Sequence, residues 1–579
     1  MESRENIEKS SSEFVYQQQE FNTSSQTQQA INNASGNIKE SNTGSTTDSK
    51  NSSSDSNQDL GKRGPKVYCG FIRTDRYLGI IELKKGVTWV NITCYYALVI
   101  VLIGIFVFIN SMASYVFEAY LRGHVNRKDQ GKLAGDLSFY NEICIIVFGI
   151  FWGILTDLLK GRKFVYMVGF LLMALGLFLY TFALTPGQLI LYRVIFAIGA
   201  ASTSSMLTAI LGDYVRNKDR GKASGLLGLC SGLGAVLSAL VYLKIPQWIQ
   251  SANPSIPSGQ AGFIAFVIMS FFCVASMCAI MMFYKGKIFP ICENYFAKKK
   301  TKNIDDIESS SDEESDNESS SDNIMVRYLK RIRDVMVQGL FQAPAKRPSL
   351  ILAYASSFVA RGDATLITTF ITLWVSQQMI NLHDSSKADA VARGGTISGV
   401  CQTFALVAAP FIGVFADLRF RRKKQDPSQQ DPDTFIRKMA RLITMAVVSI
   451  ISGVGYTMLS FLSDVTGGFV YLPIALIGIG EIGVIVCSQV LVTAESPNRV
   501  RGSVSGIFTL FGAAGILLAT KVGGVLYDDW KPSGPFLFYG MINFALCLLT
   551  IGFIIGNVIY YKVWKKKERV SPKDTSEMP

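Results

Sequence analysis

Histidine is nearly absent, with two residues in 579, His124 and His383, and both fall in loops between apolar segments. No paired acid–base constellation surrounds either one, so the chain is not read as an enzyme. Charge is also scarce: 17% of residues are charged, where a soluble chain of this size carries about a quarter. That shortfall makes lipid the expected main solvent. The ten cysteines are scattered, mostly in apolar segments, with no CxxC and no Cys/His cluster at metal spacing, so neither a metal nor another cofactor is expected. A Gly-rich loop ending in Lys-Ser or Lys-Thr is missing, which argues against ATP-driven chemistry. Residues 1–60 lack aliphatic runs and are rich in Ser, Asn, Gln and Thr, a composition that cannot bury a core. The charged-then-apolar start of a signal peptide is missing as well, which leaves insertion to the first apolar segment.

From Ile92 onward, apolar blocks long enough to cross hydrocarbon recur. They lie at about residues 92–115, 137–155, 164–184, 188–212, 223–243, 261–284, 350–377, 396–416, 439–462, 469–494, 503–526 and 534–560. Hence an all-α, polytopic membrane protein is expected, with twelve transmembrane helices in two six-helix halves. Its parts read as a disordered tail (1–85), a first bundle (86–286), an acidic, Ser-rich linker (287–347), a second bundle (348–562) and a short tail (563–579). Glycines within the spans, among them Gly225, Gly228, Gly232, Gly234, Gly478, Gly480, Gly483, Gly512 and Gly515, suit close helix packing.

The net charge of +13 is not a nucleic-acid stripe, because Lys and Arg sit in short clusters between apolar blocks. Such clusters set topology. They follow the second, fourth, eighth and tenth spans, whereas the stretches 185–187 and 463–468 hold no Lys or Arg. The positive-inside rule then places both termini and the linker in the cytosol. One loop breaks the rule: Arg122, Arg127, Lys128 and Lys132 follow the first span, on the wrong side.

One pattern occurs twice. The second span ends in Gly153-Ile-Leu-Thr-Asp157, followed by Lys160, Arg162 and Lys163, and the eighth ends in Gly413-Val-Phe-Ala-Asp417, followed by Arg419, Arg421 and Arg422. A second pair, Arg220-Gly-Lys-Ala-Ser-Gly225 and Arg501-Gly-Ser-Val-Ser-Gly506, follows the fourth and tenth spans. Repetition at equivalent places reads as duplication. These residues resemble the major facilitator superfamily, whose signature after the second helix is a Gly, three residues, an Asp and then basic residues around a Gly. Arg193 with Gly199 is similar to that family's fourth-helix motif. The resemblance covers about residues 88–562. It implies a conformational latch between the halves on the cytosolic side, carried by Gly153, Asp157, Arg162, Lys163, Gly413, Asp417, Arg421 and Arg422. The helix-5 Gly-Pro pair of the family's drug antiporters is missing, as are the signatures of its sugar porters, so no subfamily is assigned.

Ionisable residues in hydrocarbon cost at least about 2.5 kcal/mol each and usually face a cavity or a partner. Four stand deep within spans: Arg193, Arg361, Asp363 and Glu481. The resemblance puts their helices, the fourth, seventh and tenth, around a central cavity, and so implies substrate- or ion-binding roles for these four, with Asn110 as a further hydrogen-bonding candidate. The plainer reading is a buried ion pair of Arg361 with Asp363 or Glu481. Glu118 and Glu142 are weaker candidates. Carboxyl groups in such settings can carry protons, which leaves proton coupling through Asp363 or Glu481 open.

In the linker, Ser309, Ser310 and Ser311 precede Asp312-Glu313-Glu314, an acid-directed pattern for a kinase partner. Met325, Leu329, Ile332, Met336 and Leu340 recur at helical spacing among Arg and Lys, as in a helix lying on the inner leaflet. The function expected is secondary transport of a small solute by alternating access in the plasma membrane or an endosomal or lysosomal membrane. A non-transporting sensor or scaffold of the same fold is the alternative.

Overall fold

The computed structural model describes residues 67–68, 72–73, 76–79, 81–84, 86–121, 123, 125–159, 161–216, 219–284, 333, 336–416, 432–496 and 500–570. Twelve helices in it are long and apolar enough to span a membrane. Spans 1 to 6 are Trp89–Ser111, Arg127–Gly153, Arg162–Tyr180, Pro186–Tyr214, Lys222–Ala252 and Ser258–Phe283. Spans 7 to 12 are Ser349–His383, Lys387–Ala416, Lys438–Ser460, Gly468–Glu495, Ser503–Asp529 and Gly534–Lys562. This is the all-α, multi-pass architecture expected from the apolar blocks.

With an even number of spans, the described chain enters and leaves on one face, here called the terminus face. Spans 1 and 7 both run from it to the far face. The halves meet through span 2 against span 11 and span 5 against span 8.

Local sequence explains several element boundaries. Thr88 caps span 1 by accepting from Asn91 N–H, and the Asn91 side chain reaches back to the Thr88 backbone, a reciprocal capping box. Span 4 starts on Thr185 as N-cap with Pro186 in its first turn, where a missing N–H costs nothing. Span 7 is not regular: Ile367–Ile371 forms a π turn between two α-helical stretches.

Close helix contacts rest on glycine where the sequence suggested, but not at every glycine. A Cβ at Gly234 would lie 2.4 Å from Ile100 O of span 1, one at Gly478 2.3 Å from Cys401 O of span 8, and one at Gly515 1.9 Å from Phe358 O of span 7. By contrast, Gly225 and Gly228 face nothing within 4 Å among the described residues.

The segment expected to be an unfolded tail up to residue 85 is partly folded. Val67–Tyr68 pairs with Ile72–Arg73 and Arg76–Tyr77 with Ile81–Glu82, each antiparallel. Leu83 bridges to Val215, Lys84 N–H donates to Tyr214 O, and Arg216 N–H donates to Glu82 O. Ile81 and Leu83 are buried there. The reason is local: span 4 ends in exposed backbone groups that an extended segment can pair. At the other end of the first gap, Leu340 packs among second-half side chains and Tyr354 donates to Gly339 O at 2.7 Å. The end of the linker is thus docked on protein, not on lipid alone as the amphipathic pattern suggested. Met325, Leu329, Ile332 and the kinase candidates Ser309, Ser310 and Ser311 lie outside the described residues.

Candidate functional site: a closed far gate and two buried charge clusters

The buried apolar core shows how the halves meet. One cluster joins Tyr115 and Phe117 of the first half to Leu366, Phe370, Trp374 and Tyr527 of the second, all toward the far face. A separate cluster around Leu350, Val484, Leu491 and Val504 belongs to the second half alone and lies toward the terminus face. Apolar burial therefore seals the far side.

A polar layer finishes that seal. Glu118, buried just past span 1, accepts from Arg127 Nε at 3.0 Å and Gln130 Nε2 at 2.9 Å. Arg127 also reaches Asn381 of span 7, and Gln377 donates to Gln130 Oε1 at 2.8 Å while accepting from Tyr527 OH at 2.7 Å. Lys387 donates to Glu118 O at 2.5 Å. Burial pushes the Glu118 carboxyl up, but the Arg127 and Gln130 donors and the charges of Arg127 and Lys387 outweigh it and hold the group below the ordinary carboxylate range.

Beside this layer, Asp528 of span 11 accepts from Gly131 N–H at 2.9 Å and Lys132 N–H at 2.6 Å. A carboxylate from one half thereby caps the helix that opens span 2 of the other. Lys132 pairs with Asp529 at 2.6 Å and Lys521 with Asp136 at 2.5 Å. In span 7, Thr372 N–H bonds Thr369 O, so the Thr368 carbonyl lacks its usual donor four residues on and accepts Ser111 Oγ of span 1 at 2.8 Å. The π turn makes a cross-half contact available. Arg127 and Lys132, which break the positive-inside rule, are both held in contacts that join the halves at the far face.

The terminus face is different. Among the motif residues, Arg162 donates to Ala209 O at 3.0 Å and pairs with Asp213, both in span 4. Lys163 donates to Met281 O of span 6 at 2.7 Å. These bonds stay within the first half, so the expected cross-half latch is not engaged by them. Gly153 and Gly413 of the same motif meet nothing within 4 Å among the described residues. The side chain of Asp157 and the residues Asp417, Arg421 and Arg422 lie outside what is described.

The four intramembrane charges, expected along one path, occupy three places. Arg193, 2% exposed, is enclosed in the first half, where it donates to Asn110 of span 1 and stacks over Phe196 at 5.6 Å. Asp363, 0% exposed, and Glu481, 4% exposed, share the interior of the second half. Asn543 of span 12 donates to both Asp363 carboxyl oxygens at 3.0 and 3.2 Å, and Tyr456 of span 9 donates to Asp363 O at 3.3 Å. Glu481 Oε2 and Asn543 Oδ1 are buried without a partner among the described residues. Arg361 is exposed, and among the described residues no ion pair joins it to either acid. The suggested ion pair of Arg361 with Asp363 or Glu481 is therefore not formed. Residues two apart on a helix lie on opposite faces, and Arg361 and Asp363 obey that. Asn543 was missed by the sequence reading, although an amide inside an otherwise apolar span is a readable signal.

The sequence profile of the Major Facilitator Superfamily matches residues 98–520. The chain belongs to that superfamily. It is 23% identical over 435 residues to the magnetosome protein MamH of Paramagnetospirillum magneticum, covering 73% of this chain and 83% of the relative. Magnetosome protein MamZ of the same organism is 22% identical over 420 residues, 71% of this chain and 55% of MamZ. Among solved structures, a POT family transporter in complex with 5-aminolevulinic acid superposes with a TM-score of 0.56 at 12% identity, covering 84% of this chain and 98% of that one. The inward open xylose transporter XylE from E. coli gives a TM-score of 0.53 at 14% identity, covering 79% and 94%. At such identities the structures share the fold. This superfamily member is thus an integral, multi-pass membrane protein.

Proposed function

We propose that the chain is a secondary transporter that moves a small solute by alternating access, with Asp363 and Glu481 as its proton-coupling pair. The observation carrying this reading is the asymmetry between its two ends: polar and apolar contacts join the halves at the far face, while the described motif residues at the terminus face bond within their own half. Taking the terminus face as cytosolic by the charge rule, this is an inward-facing state. Rocking the halves would exchange one seal for the other.

Two buried carboxyl groups on different helices, with an amide donor and no cation bonded to them among the described residues, form an arrangement that neutralises charge by taking up a proton. Unpartnered oxygens of Glu481 and Asn543 leave room for a change of hydrogen bonding as the proton comes and goes. The test is uptake into proteoliposomes at two pH values. Glu481→Gln keeps size and removes titration, so pH-driven accumulation should vanish while exchange at equal solute concentration survives. Full accumulation by this variant would exclude Glu481 and leave Asp363 as the coupling group.

A further inference from the structure

Resting on the transporter reading, the geometry points to a substrate class: we infer that Arg361 and Glu142 bind opposite ends of a small zwitterion, an anionic group at Arg361 and an ammonium at Glu142. Arg361 lies midway along span 7 yet is exposed. It does not point outward to lipid alone, because its stem lies along span 11: a Cβ at Gly512 would sit 2.8 Å from Arg361 Cγ. Among the described residues, no hydrogen bond or ion pair holds its guanidinium.

Glu142 belongs to span 2 in the other half and is partly exposed. The two are level. Spans 2 and 11 touch where a Cβ at Gly135 would lie 2.3 Å from Thr520 O. From that contact toward the terminus face, Glu142 is seven residues along span 2 and Gly512 eight residues back along span 11, about 10 and 12 Å at the helical rise. Below the far gate, each half thus presents one charge, of opposite sign, at the same depth.

An Arg and a Glu inside a membrane protein that no described residue pairs are costly. A neutral solute relieves neither, and a singly charged one relieves one. A zwitterion satisfies both and bridges the halves, so its binding favours the state in which they close on it. That links recognition to the transport step.

The probes are labelled alanine, γ-aminobutyrate, lactate, choline and xylose, offered to the full chain in proteoliposomes. Expected are uptake of alanine or γ-aminobutyrate and little of the others. Arg361→Gln and Glu142→Gln should each cut that uptake roughly tenfold or more, the worth of one charge contact. Combining Arg361→Glu with Glu142→Arg should recover part of it, because the solute can bind reversed. Size-exclusion profiles of each variant separate lost binding from lost folding. Uptake of xylose, lactate or choline in preference to both zwitterions, or zwitterion uptake undiminished in both Gln variants, overturns the inference while leaving the transporter intact. If the folded wild-type protein moves none of the five and exchanges no solute in a wider screen, the transporter reading fails with it.

Discussion

The two ends of this molecule use similar residues for opposite purposes. At the far end, Arg127 and Lys132 stand on the side where the charge rule disfavours them, and both are engaged by carboxylates, Glu118 and Asp529. At the terminus end, where basic residues are abundant, Arg162 and Lys163 bond to their own half. The difference teaches that charge count sets which face is which, whereas the partner of each charge sets which face is closed.

The sharpest way to break the comparison is to add one methyl group at each end. Gly135→Ala would drive a Cβ to within 2.3 Å of Thr520 O, a backbone atom that cannot turn aside. The far-closed state should lose about 1 to 3 kcal/mol, roughly five- to 150-fold in its population, read as labelling of a cysteine placed at Asn381. Gly153→Ala meets nothing within 4 Å among the described residues and should leave that labelling unchanged. Equal effects from the two would show that the far contact is not what holds this state.

A smaller effect is expected from Glu118→Gln, which leaves Arg127 without its carboxylate although water reaches the half-exposed guanidinium. The gate layer should weaken by about 1 to 2 kcal/mol. The sign of its pH dependence follows from the depressed Glu118 group: the stabilisation is complete above the ordinary carboxylate range and is lost as pH falls through the still lower value in the closed gate. The Glu118-dependent part of far-side labelling, wild type compared with Glu118→Gln, should therefore be flat from pH 8 to pH 6 and change only in strong acid. A rise near pH 6 would assign the gate to another group.

The smallest effect belongs to Arg162→Ala. Its pairing with Asp213 is between side chains 36% and 46% exposed, and such pairs contribute about 0 to 1 kcal/mol. The melting temperature should scarcely move. A large loss would mean that the bond to Ala209 O, not the ion pair, anchors the end of span 4.

Much of this was legible before the fold was known. Twelve apolar blocks became twelve spans because hydrocarbon forces every backbone group to be satisfied within a helix. The burial of Arg193, Asp363 and Glu481 followed from their apolar settings. Their partners did not follow, since Asn110, Asn543 and Tyr456 come from spans distant in the chain. The opposite facing of Arg361 and Asp363 was readable from their spacing, yet the ion-pair reading passed over it.

Span number, topology and the superfamily pattern are properties of local composition, because the bilayer selects each segment by its own apolar length. Which charges meet is another matter. Glu118 with Arg127 and Gln130, Asp528 with the start of span 2, and Asp363 with Asn543 depend on how helices far apart in sequence pack and on which end is sealed. Only the tertiary structure decides that, since a hydrogen bond is fixed by distances of a few ångströms that no spacing along the chain records.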